Sequence, residues 1–195
     1  MRGFHLEKNN QNILQFWEKR ILSICQQIEQ DFWEKQDEIL AEYRQQFFSL
    51  IEEVRNRSIK KSIHFVTVQI LPTSIYTKSY AYRLAFYDED FYLKQTEVST
   101  EWSPLWIWKY FKEEAEQGRS IEKCPPWVWE ETWRSYSNVY HHIVQQFCQK
   151  EAKEILSLLA ELNLIAQECL FLFGMYWDKM LCLAKYEVVK GENHG

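Results

Sequence analysis

Glycine and proline are scarce in this chain, five and four of its 195 residues. With so few residues suited to tight turns, the chain is expected to be built from long regular elements. A Gly-rich phosphate loop, a Gly-x-Ser-x-Gly elbow and a His-Glu-x-x-His helix are all missing. Their absence removes the familiar routes to nucleotide binding, serine-esterase chemistry and zinc-peptidase chemistry. The cysteines, Cys25, Cys124, Cys148, Cys169 and Cys182, are odd in number and share no short paired spacing. Neither a disulfide framework nor a structural zinc site follows from them. An apolar run of about 18 residues, as a membrane span requires, is also missing. The opening Met1 to Glu7 reaches charge before any leader-like apolar segment. A cytoplasmic protein with reduced thiols and no membrane partner is expected.

Positive charge is in short supply too. Lys and Arg number 23 against 28 Asp and Glu, giving a net charge of −5 and a pI near 5.6. Phosphate-backbone binding draws its affinity from clustered cations, so nucleic acid is not the expected partner. Arg55, Arg57, Lys60 and Lys61 do gather, but at the end of a helical pattern, where cations complement the negative end of the helix dipole.

What the chain has in excess is aromatic side chains, at 16%. From about Asn10 to Arg57, without Gly or Pro, apolar residues recur in steps of three and four at Leu14, Trp17, Ile21, Ile24, Ile28, Phe32, Ile39, Tyr43, Phe47, Leu50 and Val54. That spacing predicts one face of a long helix, with a break or bend where Glu34, Lys35, Gln36 and Asp37 follow one another. The period then falls to two over about 62–94: Ile63, Phe65 and Thr67 alternate, then Tyr80, Tyr82, Leu84 and Phe86. A half-buried antiparallel strand is predicted there, followed by a turn at Asp88-Glu89-Asp90 and a return strand from Phe91. Ser103 and Pro104 open a short helix over about 104–117 that Gly118 should stop. A face of Leu105, Trp108, Phe111 and Ala115 is expected on it. Pro125-Pro126 opens a second long helix to about 166, carrying Trp129, Trp133, Tyr136, Tyr140, Ile143, Phe147, Ile155, Leu158, Leu162 and Ile165 at helical spacing. Two long helices side by side are the natural pairing. The apolar tail over about 168–189, interrupted by Asp178-Lys179, reads as a hairpin completing the sheet. The expected fold is α+β in a single domain, 1–195: an antiparallel β-sheet of about four or five strands against two long amphipathic helices and a short Trp-rich helix.

Six of the nine tryptophans lie between Glu101 and Trp133. Burying one aromatic withdraws about 150–250 Å² from water, roughly 4–6 kcal/mol gross. Six left exposed would forgo more than a net stability of about 5–15 kcal/mol, so most belong to the core. Trp127, off the Trp129–Trp133 stripe, and Trp106 are the expected exposed anchors; Tyr80, Tyr82 and Arg83 of the strand complete the predicted binding residues. No catalytic residue, metal ligand or cofactor is assigned. His64 lacks a nucleophile nearby in sequence, His141 and His142 point about 100° apart on a helix, and the acids of Asp88-Glu89-Asp90 lack the glycine of a calcium loop.

These features point to a non-catalytic cytosolic protein-binding protein, such as an inhibitor, immunity factor or complex subunit, acting through acidic helical faces and edge aromatics. Its expected partner is another protein, a basic one by charge, with self-association through the long helices as the other route. The alternative is a small enzyme or ligand-binding protein with an aromatic pocket lined by Tyr80, Tyr82, Trp108 and Trp133, and His64 or Cys124 as its chemical group.

Overall fold

A computed structural model describes residues 2–57, 62–91, 98–121, 126–175 and 179–188, with side chains described except at 2–14, 16, 118–121 and 126–133. Five helices and five strands follow one another in it: α1 (Arg2–Glu34), α2 (Gln36–Asn56), β1 (Ile63–Ile70), α3 (Ser74–Thr77), β2 (Tyr82–Tyr87), β3 (Val98–Trp102), α4 (Leu105–Ile121), α5 (Pro126–Glu161), β4 (Ile165–Met175) and β5 (Met180–Glu187). The fold is α+β. Among the described residues no helix is long and apolar enough to cross a membrane. The chain divides into two compact units, Met1–Ile39 with Pro104–Val144, and Leu40–Ser103 with Gln145–Gly195.

The first unit is helical. Trp17, Ile24 and Ile28 of α1 are buried at the predicted helical steps, while Ile21 and Phe32 lie at the margin of that stripe. The helix that runs alongside α1 is α4, in the opposite direction: Arg20 meets Glu114, and Asp31 meets Lys109. From α4, Ile107, Trp108 and Phe111 enter the core, whereas Leu105 is exposed. The predicted face thus holds at Trp108 and Phe111 but is shifted round the helix, with Ile107 inward in place of Leu105. Tyr136 and Tyr140 of α5 close the core: Tyr136 stacks on Trp17 at 4.3 Å between ring centroids, and Tyr140 stacks on Trp108 at 5.7 Å. Among these rings lies one buried charge. Glu114 accepts a hydrogen bond from Arg20 Nε at 2.8 Å and is only 3% exposed, its second oxygen deep beside the two tyrosines. Burial pushes the Tyr136 hydroxyl up to about 12 and Tyr140 further still.

The expected interruption between the N-terminal helices falls at Lys35. Its N–H is shared between the carbonyls of Asp31 and Phe32, at 3.1 and 3.3 Å, and its own carbonyl accepts from Ile39 N–H at 3.0 Å. The helical path therefore carries through the break.

The second unit holds the whole sheet, ordered β3-β2-β1-β4-β5. Three pairings are antiparallel, but β1 and β4 run parallel. The sheet is therefore mixed: β4 returns after two helices, long enough for a crossover that a tight turn could not supply. Tyr43 and Phe47 of α2 and Phe147 of α5 cover one face, Tyr43 lying 4.8 Å from Trp102 and 5.0 Å from Phe147, and Phe47 reaching Phe86 and Phe171. Strand β2 is buried on both faces apart from Arg83, not half-buried. On its other side Gln69 Nε2 donates to Tyr87 OH at 2.8 Å and to Thr67 Oγ1 at 2.9 Å, so a hydrogen-bonded polar layer fills the position expected to meet solvent. The return strand is β3, beginning at Val98; Phe91 is in a 3-10 turn, and Tyr92 and Leu93 lie outside the described residues.

Two helix ends differ from expectation. Helix α4 passes through Gly118 to Ile121, and the Ser103 hydroxyl, predicted to cap it, donates instead to the carbonyls of Ser79 and Tyr80. Helix α5 ends at Glu161 because Asn163 turns left-handed, φ 55°, with Asn163 N–H donating to Ala160 O and Leu164 N–H to Leu159 O. Asn here does what glycine does at most such ends. Its buried face, Tyr140, Val144, Cys148, Ala152, Ile155 and Leu159, includes small residues, while Ile143, Leu158 and Leu162 sit at its margin.

Candidate functional site

The stripe that buries α1 leaves one large side chain out. Trp33 follows Phe32 directly, so it points about 100° on from that marginal residue and nearly opposite the buried stripe, and it is 60% exposed. Leu22, about three turns earlier on the same side of the helix, is 74% exposed. At the opening of α4, Leu105 is exposed and Trp106 half-buried. Phe32 joins the two helices: its ring meets Trp33 edge-on at 5.4 Å and Trp106 at 5.7 Å. Trp33, Phe32 and Trp106 are therefore linked ring to ring, and Leu105 is exposed next to Trp106 in sequence. The exposed part of Trp33 alone forgoes roughly 3–4 kcal/mol of burial, a gain open to whatever covers it.

The rim of this surface is polar and mostly acidic. Asp31 accepts from the Tyr110 hydroxyl at 2.9 Å and from the Lys109 ammonium, which also lies 4.7 Å from the centroid of the Tyr110 ring. The hydrogen bond from Lys109 holds the Asp31 carboxyl below its ordinary 3.8, and the same bond raises Lys109. Burial, then the Asp31 contact, raises Tyr110. Around them Glu29, Glu34, Asp37 and Glu38 are exposed, against one cation, Lys35, in residues 29–38.

Of the predicted binding residues, Trp106 belongs to this surface. The side chain of Trp127 lies outside the described residues. Tyr80 and Tyr82 are buried in the second unit, Tyr82 against Trp102 and Phe173, and Arg83 is half-buried on β2. Trp108 is core of the first unit, and the Trp133 side chain is outside the described residues. Trp33 was missed by sequence reasoning, although a tryptophan immediately off an otherwise regular stripe is itself a signal of exposure.

The other candidates carry less. His64 is half-buried and lines an open pocket of about 540 Å³ with Ser62, Phe65, Ala166, Gln167, Glu168 and Leu170. The pocket opens where β1 advances from Ile63 to Phe65 while β4 advances from Ile165 to Leu170. Glu168 there is paired with Lys185 at 3.0 Å. Burial pushes the thiols of Cys148 and Cys169 up to about 12, which keeps them protonated and poor nucleophiles. Cys124 lies outside the described residues. In the acidic turn, Asp88 Oδ1 accepts from Asp90 N–H at 3.0 Å, so that carboxylate is used to shape the turn. Among the described residues no three His, Cys, Asp or Glu side chains converge on one point. No family model, curated protein or solved structure matches this chain.

Proposed function

We propose that this is a non-catalytic protein-binding protein of the cytosol, an inhibitor, immunity factor or complex subunit, whose contact surface is the Trp33–Phe32–Trp106–Leu105 patch. The observation that carries the reading is Trp33, 60% exposed and joined through the Phe32 ring to Trp106, with exposed acidic residues on either side of it in sequence. Tryptophan is the residue type most enriched among interface hot spots, and contiguous exposed apolar surface is where soluble proteins meet partners. A partner is expected to co-purify in stoichiometric amount from the native cell. Trp33→Ala should weaken its binding about 30-fold or more, equal to roughly 2 kcal/mol, while leaving the melting temperature unchanged. A partner held equally well by Trp33→Ala and Trp106→Ala variants would sink the reading.

A second reading, a ligand-binding protein, is favoured by the open pocket beside His64. A small molecule retained in native mass spectra and lost in a His64→Ala variant, with no protein partner recovered, would put it first.

A further inference from the structure

The surface of α1 opposite its buried stripe is a narrow ridge: Leu22, Gln26, Glu29, Trp33 and Asp37 succeed one another in steps of three and four, and all are exposed. Because helical bonding carries through Lys35, Asp37 stays in line with Trp33, and the indole lies between two carboxylates one turn to either side. Lys35, two positions from Trp33, points away from this face.

Close by, the same unit already joins these chemical groups. Lys109 places its ammonium on the Tyr110 ring and against the Asp31 carboxylate. Trp33 with Glu29 and Asp37 repeats the aromatic face and the carboxylates, but its ring contact is with Phe32. Of the cations in this unit, Lys109 is engaged with Asp31 and Arg20 with Glu114.

We infer that Trp33, Glu29 and Asp37 form a receiving site for an arginine side chain on the partner. The inference rests on the protein-binding reading and names the chemistry of its partner. Indole offers the strongest cation–π face, and guanidinium stacks flat while its edge N–H groups reach carboxylates. Lysine would bring a more strongly hydrated point charge and a weaker fit. A second copy of this chain is a poor occupant, since net charge of −5 would oppose a carboxylate-rimmed surface. The partner is therefore a basic segment whose arginine sits on Trp33 and whose apolar side chain, about 16 Å along the ridge, covers Leu22.

The probe is an alanine-based helical peptide with one arginine and one leucine eleven positions apart, beside versions carrying glutamate or lysine in place of the arginine. The Trp33 indole N–H resonance is assigned by its loss in Trp33→Phe. Titration with the arginine peptide should shift that resonance saturably. Binding should weaken about tenfold or more with the glutamate peptide and less with the lysine peptide. Glu29→Lys with Asp37→Lys should reverse the order, favouring the glutamate peptide. A resonance that does not move, or equal binding of the arginine and glutamate peptides, would overturn the inference, and these two readouts need no variant to fold. Capture of a cellular partner that needs Trp33 but ignores the double charge reversal would overturn the arginine site and leave the protein-binding reading standing. Capture indifferent to Trp33 would remove both.

Discussion

Burial pushes the His141 imidazole down to about 4 from its ordinary 6.5, because the charged ring would lose its water against the edge of Trp108, 5.1 Å away. The folded chain therefore holds the ring neutral. Since the folded value lies below the unfolded one, the contribution is complete above about pH 6.5 and is lost as pH falls toward 4, where the unfolded chain takes up the proton first. A displacement of that size corresponds to about 3 kcal/mol. The urea midpoint should thus be flat above pH 6.5 and fall steadily below it, and His141→Gln should flatten that fall. His142, exposed on the same helix, serves as control: if His142→Gln flattens the profile equally, the assignment is wrong. Asp31 acts in a separate window. Held below 3.8 by Lys109, it gives up its contribution only at still lower pH, and that contribution is small because the pair is half in water.

At the level of elements, the period of the sequence revealed which segments are helix and which are strand, because each long stripe is uninterrupted by glycine or proline. Ends and faces were harder to read. Gly118 looked like a stop, yet a helix ends only where its last carbonyls find other donors, and Asn163 supplies that arrangement where no glycine marks the place. Trp33 escaped notice because a stripe is read from what fits it. Tyr80 and Tyr82 are expected to line a binding pocket, but Tyr82 packs directly on Trp102 and Phe173; on the opposite face, where alternation predicts solvent, Thr67, Gln69 and Tyr87 bury a polar layer that no period records. The parallel pairing of β1 with β4 depends on which strands meet in space, information that neighbouring residues do not carry. In the hairpin, Gly174 has a specific reason: a Cβ there would stand 2.9 Å from Lys179 O and 3.0 Å from Met180 Cα, both backbone atoms. Gly174→Ala is therefore expected to cost about 1–3 kcal/mol by forcing β4 and β5 apart. Chemical denaturation checks it, and a midpoint equal to wild type would show that the hairpin yields freely.

For the whole molecule, the division into two units passes through two helices, after Ile39 in α2 and after Val144 in α5. A helix propagates its order along its own hydrogen bonds, and breaking it mid-length requires renucleation at a cost. The aromatic core of the first unit and the sheet of the second are each anchored on parts of α5, through Tyr140 and Phe147 respectively. Loss of either core leaves half of that helix without the packing that stabilises it. Unfolding is therefore expected as a single cooperative transition, with calorimetric and van't Hoff enthalpies agreeing at roughly 130 kcal/mol near 60 °C for a chain of this length. Acid gives the sharper test, because His141 belongs to the first unit. Lowering the pH from 6.5 toward 4 should move the entire transition to lower temperature. A scan that splits into two steps, with only one of them following the titration of His141, would show two independently folding bodies joined by helices that melt at the division.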